Sequence, residues 1–183
     1  MRFVQVSAAL QSKCRATARS VGYAVPCPLR VPEIVLPGHT PMRLHASVAV
    51  GSSPCTLDVV GLGCGRWKGW VVGSSGFGYD NHLVITASPV PFRNAAKIVN
   101  GPAWYPQARV RPLQWVIVNG QRMRAVYVPP ATNDGSAFAH HVVLIWTARG
   151  HTYAVGFHDV HGIAQTLALD LALARWIRLV KPS

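Results

Sequence analysis

Apolar residues recur at every second position through the middle of this chain. Leu44, Ala46, Val48 and Val50 alternate with polar partners, and shorter runs follow at 55–60, 67–72 and 82–88. A period of two puts one row of side chains on one face of a strand, so each run predicts a half-buried strand. Residues 115–128 carry the sharpest signal. Two strand-like runs flank Asn119-Gly120, a pair that suits a two-residue type I′ turn because both of its central positions need positive φ. A second hairpin is expected over 141–158, turned at Arg149-Gly150. Between these groups of strands, residues 88–99 predict a short helix opened by Pro89, since proline suits a first helical turn.

At the two ends the period changes. Residues 1–22 predict a helix, with Val6, Leu10, Cys14 and Ala18 along one side and Gly22 as the stop. Prolines 26, 28, 32 and 37 then dictate an extended segment over 23–41 that wraps the core without ladder donors. Ile163, Leu167, Leu171 and Ala174 form the apolar stripe of a C-terminal helix expected over 161–178. Consecutive hairpins imply an antiparallel sheet over 42–160. The expected fold is a single α+β domain, its sheet covered on one face by an N-terminal and a C-terminal helix. A length of 183 residues fits one buried core. No apolar run reaches the roughly eighteen residues of a transmembrane helix.

Charge and cysteine content bear on the setting. The chain has 18 Lys and Arg against 6 Asp and Glu, a formal charge of +12. Such a field draws a protein toward phosphate backbones or anionic surfaces. The basic residues are mostly scattered, apart from a loose run at Arg109, Arg111, Arg122 and Arg124, and no nucleic-acid-binding motif accompanies them. Cys14, Cys27, Cys55 and Cys64 include no C-x-x-C pair, so zinc-ligand spacing is absent. Two disulfides are one reading, pairing Cys14 with Cys27 across the helix return and Cys55 with Cys64 across a glycine-rich turn. Four buried thiols are the other. The first residues are too short and too polar for a secretory signal, which leaves open an unexported protein or a start that lies elsewhere.

Three segments carry a resemblance. Val25-Pro-Cys-Pro-Leu-Arg-Val-Pro32, the run Val143-Leu-Ile-Trp-Thr-Ala-Arg-Gly-His-Thr-Tyr-Ala-Val155, and Ala168-Leu-Asp-Leu-Ala-Leu-Ala-Arg-Trp-Ile-Arg-Leu-Val180 together resemble actinobacterial exported or lipid-anchored proteins. The layout is also similar to small PsbP/Mog1-like α+β domains. The resemblance covers roughly the first forty and last forty-five residues. It implies an antiparallel sheet against helices and a cell-envelope or extracellular setting, and it implies no catalytic residues.

Familiar catalytic patterns are missing. Gly61-Leu-Gly-Cys-Gly65 lacks the third glycine of a dinucleotide fingerprint and precedes a strand, and Gly73-Ser-Ser-Gly-Phe77 is not a hydrolase elbow. Among the aromatics, Trp146 falls on an apolar hairpin face and is expected in the core, whereas Trp104 and Tyr105 are expected as an exposed pair in a loop.

Five of the eight histidines lie between 140 and 161. A turn centred on Arg149-Gly150 sets His141 opposite His158, close enough for two imidazoles to share a zinc or copper ion. His161 would be a third ligand, while His140 would pair with Asp159 on the other face. Plain polar strand ends are the competing reading. The functional expectation is a non-enzymatic envelope domain that binds a protein or small-molecule partner or an anionic surface. A His-ligated zinc or copper protein, with or without enzymatic activity, is the alternative, and a basic nucleic-acid-binding module is the third.

Overall fold

A computed structural model describes residues 2–32, 43–51, 67–75, 83–88, 111–130, 140–158 and 162–183. Its frame is a seven-stranded sheet. In chain order its strands are β4 (Arg43–Gly51), β5 (Trp67–Ser75), β6 (Leu83–Ser88), β7 (Arg111–Val118), β8 (Gln121–Val128), β9 (His141–Ala148) and β10 (His151–His158). The spatial order is β4-β5-β6-β10-β9-β8-β7, with every neighbouring pair antiparallel. Two meanders, β4 to β6 and β7 to β10, thus join where β6 lies beside β10. Both expected turns form: Asn119 and Gly120 have φ of 51° and 76°, and Arg149 and Gly150 have 53° and 78°. These left-handed values twist the backbone in the sense the flanking strands need.

Two helices stand among the described residues, and they establish the α+β layout. The first, α1 (Ala8–Val21), begins where Ser7 accepts the Leu10 N–H on its side-chain oxygen at 3.2 Å. It ends where the Gly22 N–H reaches the Ala18 carbonyl at 2.9 Å, with Gly22 in the left-handed region. Leu10, Cys14, Thr17 and Ala18 are its buried side. The helix begins later than the pattern predicts, because Ser7 caps it. Phe3–Gln5 ahead of the cap is instead a strand, β1, paired with β3 (Arg30–Pro32).

The second helix, α2, runs over Ile163–Ala174, shorter at both ends than 161–178. The Trp176 N–H closes a tight last turn on the Leu173 carbonyl at 2.8 Å, and Ile177–Val180 leaves as strand β11. The buried side of α2 is Thr166, Leu169, Asp170, Leu173 and Ala174. Only Ala174 belongs to the expected stripe. Leucine and alanine lie almost all round this helix, so periodicity could not pick out its core face.

The proline-rich segment supplies strand β2 (Val25–Pro28), paired antiparallel with β11. The Leu29 N–H donates to the Trp176 carbonyl at 2.9 Å. By antiparallel alternation, the register pairs Cys27↔Arg178 and Val25↔Val180 are then the hydrogen-bonded ones. Pro26 and Pro28 fall between them, where no donor is required.

Alternation sorts the sheet into two faces. Leu83, Ile85, Met123, Ala125, Leu144, Trp146, Tyr153, Val155 and Phe157 join Leu10, Cys14, Ala18, Leu169 and Leu173 in one core cluster on the helix side. Trp146 is in this core, its ring 5.5 Å from that of Tyr153. The Tyr153 hydroxyl donates to the Ala24 carbonyl at 3.0 Å, which ties the central strand to the start of β2. On the opposite face Val126, Val128, Val143, Ile145 and Ala154 are buried as well. The strand expected over 55–60 lies outside the described residues, as does the short helix expected over 88–99 apart from Ser88, which ends β6.

Candidate functional site

The β9–β10 register matches the one counted from the turn, so Trp146 faces Tyr153, Leu144 faces Val155 and His141 faces His158. At that far end of the hairpin the His141 and His158 rings meet edge to face, their centroids 5.1 Å apart and their planes at 84°. His141 is fully buried and His158 half-buried. A third imidazole joins them from an unexpected direction. His140 has φ of 56°, outside the strand region, so strict alternation fails there. Its ring stands 4.6 Å from that of His158, again edge to face, and 6.3 Å from that of Tyr127. The Arg111 guanidinium lies 5.9 Å over the other neighbour, Tyr127. The structure thus gathers His140, His141 and His158. His161 and Asp159 lie outside the described residues. Among the described residues, no three His, Cys, Asp or Glu side chains form a group that could hold a metal ion.

One residue beside this cluster escaped the sequence reading. Asp170 of α2 is fully buried, and one carboxyl oxygen accepts the Phe157 N–H at 3.1 Å, one residue before His158. The other oxygen is buried without a hydrogen-bond partner among the described residues. Burial pushes the carboxyl well above the usual aspartate range, and the Phe157 N–H opposes this only in part. The available signal was a lone acid in a helix with no other charged residue.

Cys14 and Cys27 are joined by a disulfide that links α1 to β2, the pairing that was expected. Both sulfurs belong to residues buried in the core cluster. Cys55 and Cys64, like the aromatic pair Trp104 and Tyr105, lie outside the described residues.

The exposed aromatic surface that the structure does describe is on β7 and β8. Trp115 is 49 % exposed and Ile117 76 %, the two exposed large hydrophobics among the described residues. They sit two positions apart on one face of β7, opposite Arg124 and Arg122 respectively. Both guanidinium groups lie over the indole, Arg122 at 4.2 Å and Arg124 at 5.0 Å from the ring centroid. Contacts of this kind hold a cation over a ring's negative face and leave the planar group ordered for a ligand. Among the described residues the single acidic side chain is Asp170, buried elsewhere, so no described carboxylate neutralises these arginines. The loose run of arginines already pointed to this hairpin. Which strand would form the sheet edge did not follow from sequence, and edge position is what leaves Trp115 uncovered.

The hairpin tip is fixed in place. The Asn119 side-chain amide donates to the Arg175 carbonyl at 3.1 Å, and the Gln121 amide to the Thr147 carbonyl at 3.3 Å. The first contact sets the tip against the end of α2. The second ties it to β9, two residues before the Arg149-Gly150 turn. Trp176, next after Arg175, carries the Arg30 guanidinium 4.6 Å over its ring. No helix among the described residues is long and apolar enough to cross a membrane. No family model, curated protein or solved structure matches this chain.

Proposed function

We propose that this chain is a binding domain that takes an anionic partner on the outer face of β7 and β8. One observation carries the reading: exposed Trp115 with Arg122 and Arg124 held over its ring, with no described carboxylate beside them. A cluster of ordered cations without counter-charges among the described residues supports attraction to a negatively charged ligand, and the formal charge of +12 reinforces it at long range. The Cys14–Cys27 disulfide supports an oxidising compartment, since such bonds are rare where glutathione keeps thiols reduced. The resemblance to exported or lipid-anchored envelope proteins supports the same setting.

The test is binding to a panel of polyanions (heparin, duplex DNA and anionic vesicles) at low and high salt. At least one should bind with steep salt dependence. The double variant Arg122→Ala/Arg124→Ala should lose most of that binding while keeping the wild-type fold by circular dichroism. If nothing in the panel binds, or if the double variant binds as well as the wild type, the reading is wrong.

A further inference from the structure

We infer that the anionic partner is a phospholipid bilayer surface and that the tip of the β7–β8 hairpin enters its interface, Ile117 and Trp115 leading; this rests on the anionic-partner reading above. Exposed apolar surface is the first reason. Ile117 is 76 % exposed and is separated from the Asn119-Gly120 turn by a single residue. A branched aliphatic side chain offers nothing to a phosphate or a base, but it gains free energy when it leaves water for acyl chains. Trp115 beside it is the side chain best suited to the headgroup level, where an apolar ring meets a wet boundary.

The arrangement of cations is the second reason. Arg122 and Arg124 lie on the same face as the two apolar side chains, with their guanidinium groups on the indole. The formal charge of +12 adds a long-range attraction to the same kind of surface. An apolar point beside two guanidinium groups matches a bilayer whose acyl region lies beneath a layer of phosphates. A nucleic-acid groove is matched less well. Single-stranded readers leave an aromatic face open for a base to stack on, whereas here two guanidinium groups occupy the Trp115 ring. The anchoring of Asn119 and Gln121 holds the tip in one shape, so little ordering is needed on contact.

The experiment is co-flotation of the full chain with vesicles of phosphatidylcholine containing phosphatidylglycerol, and with vesicles of phosphatidylcholine alone. Soluble heparin and duplex DNA form parallel arms. Wild type should float with the anionic vesicles and stay behind with the neutral ones. Arg122→Ala/Arg124→Ala should weaken vesicle binding on the order of ten- to thirtyfold, by the usual contribution of a basic residue near an anionic surface. Ile117→Ser should weaken vesicle binding on the order of tenfold while leaving any heparin binding unchanged, because heparin has no acyl interior. Ile117 is exposed, so this variant should fold as the wild type does. Binding to heparin or DNA without flotation overturns the bilayer and keeps the anionic-partner reading. Flotation that Ile117→Ser does not weaken overturns insertion of the tip, and binding to nothing in any arm overturns both readings.

Discussion

Replacing Gly156 by alanine tests the histidine hairpin at its tightest point, because two effects of opposite sign meet there. In an ordinary strand interior alanine is favoured over glycine by roughly 0.5–1 kcal/mol, since glycine loses more backbone freedom on folding. At Gly156 an added Cβ would stand 2.6 Å from the Val142 carbonyl oxygen, 3.0 Å from a methyl of Val143 and 3.4 Å from the Val143 Cα. Two of those three atoms are backbone of the adjacent strand, so no rotamer change relieves the clash. Retreat is blocked on the other side as well, because Gly156 pairs with Val84 of β6 while it pairs with Val143 of β9. Forcing extra volume into such a site costs typically about 1–3 kcal/mol. The clash should win, leaving a net loss of about 1–2 kcal/mol, equivalent to roughly 2–8 °C in melting temperature for a domain of this size. Urea unfolding of wild type and Gly156→Ala reads the difference directly. A midpoint that is unchanged or raised, at the same m-value, would show that β9 and β10 do not approach so closely and would refute the packing beside His141 and His158.

Two further predictions concern buried chemistry. The Cys14–Cys27 bond closes a short loop, with a sequence separation of 13, so opening it should lower stability by about 3 kcal/mol. Urea midpoints with and without reductant measure this, backed by a Cys14→Ser/Cys27→Ser variant in case the buried bond resists reduction; equal midpoints in both comparisons would contradict the bond. Asp170 sets a pH dependence whose sign follows from its raised value. Below about pH 4 the native and unfolded states both hold the proton; as pH rises toward the native value, only the unfolded chain releases it, so stability falls with pH. Asp170→Asn keeps an acceptor for the Phe157 N–H but cannot titrate, and its stability relative to wild type should rise between pH 4.5 and 8; parallel pH profiles would show that Asp170 is not a buried acid.

What could be read in the sequence was what local chemistry decides. Asn119-Gly120 and Arg149-Gly150 dictate two-residue turns by their tolerance of positive φ, and the turns fix the register. The opposition of His141 and His158 therefore followed by counting. Features that depend on distant partners were not legible. Whether Pro26 and Pro28 can lie in a strand depends on their phase against β11, about 150 residues later. The placement of β6 beside β10 is a long-range pairing with no local signature. Leu169 and Leu173 were not picked out as core because Leu167 and Leu171 look equivalent on the helix, and only packing against β9 and β10 separates them. His140 was misplaced for another reason: alternation assumes extended backbone, and its φ of 56° lies outside that region.

The outer strand β7 shows two kinds of surface handled differently. Its backbone edge, the side that would otherwise recruit another strand, contains Pro112, and its register with β8 is irregular between Pro112 and Trp115. Both features oppose edge-to-edge pairing. Its outward side chains receive no such protection. Along the same face Val126, Val128, Val143 and Ile145 are buried, yet toward the tip the face passes into exposed Trp115 and Ile117 among arginines. Alternation alone calls for polar residues at those outward positions. The Asn119-Gly120 turn fixes the register of the hairpin, so the register does not require the apolar pair. A chain that blunts its edge against strand addition but leaves an isoleucine and a tryptophan uncovered beside it presents a side-chain surface, not a backbone one. Recognition by that surface would depend on apolar contact and charge, with no need for ladder hydrogen bonds, which is why the polyanion and vesicle measurements separate its partners.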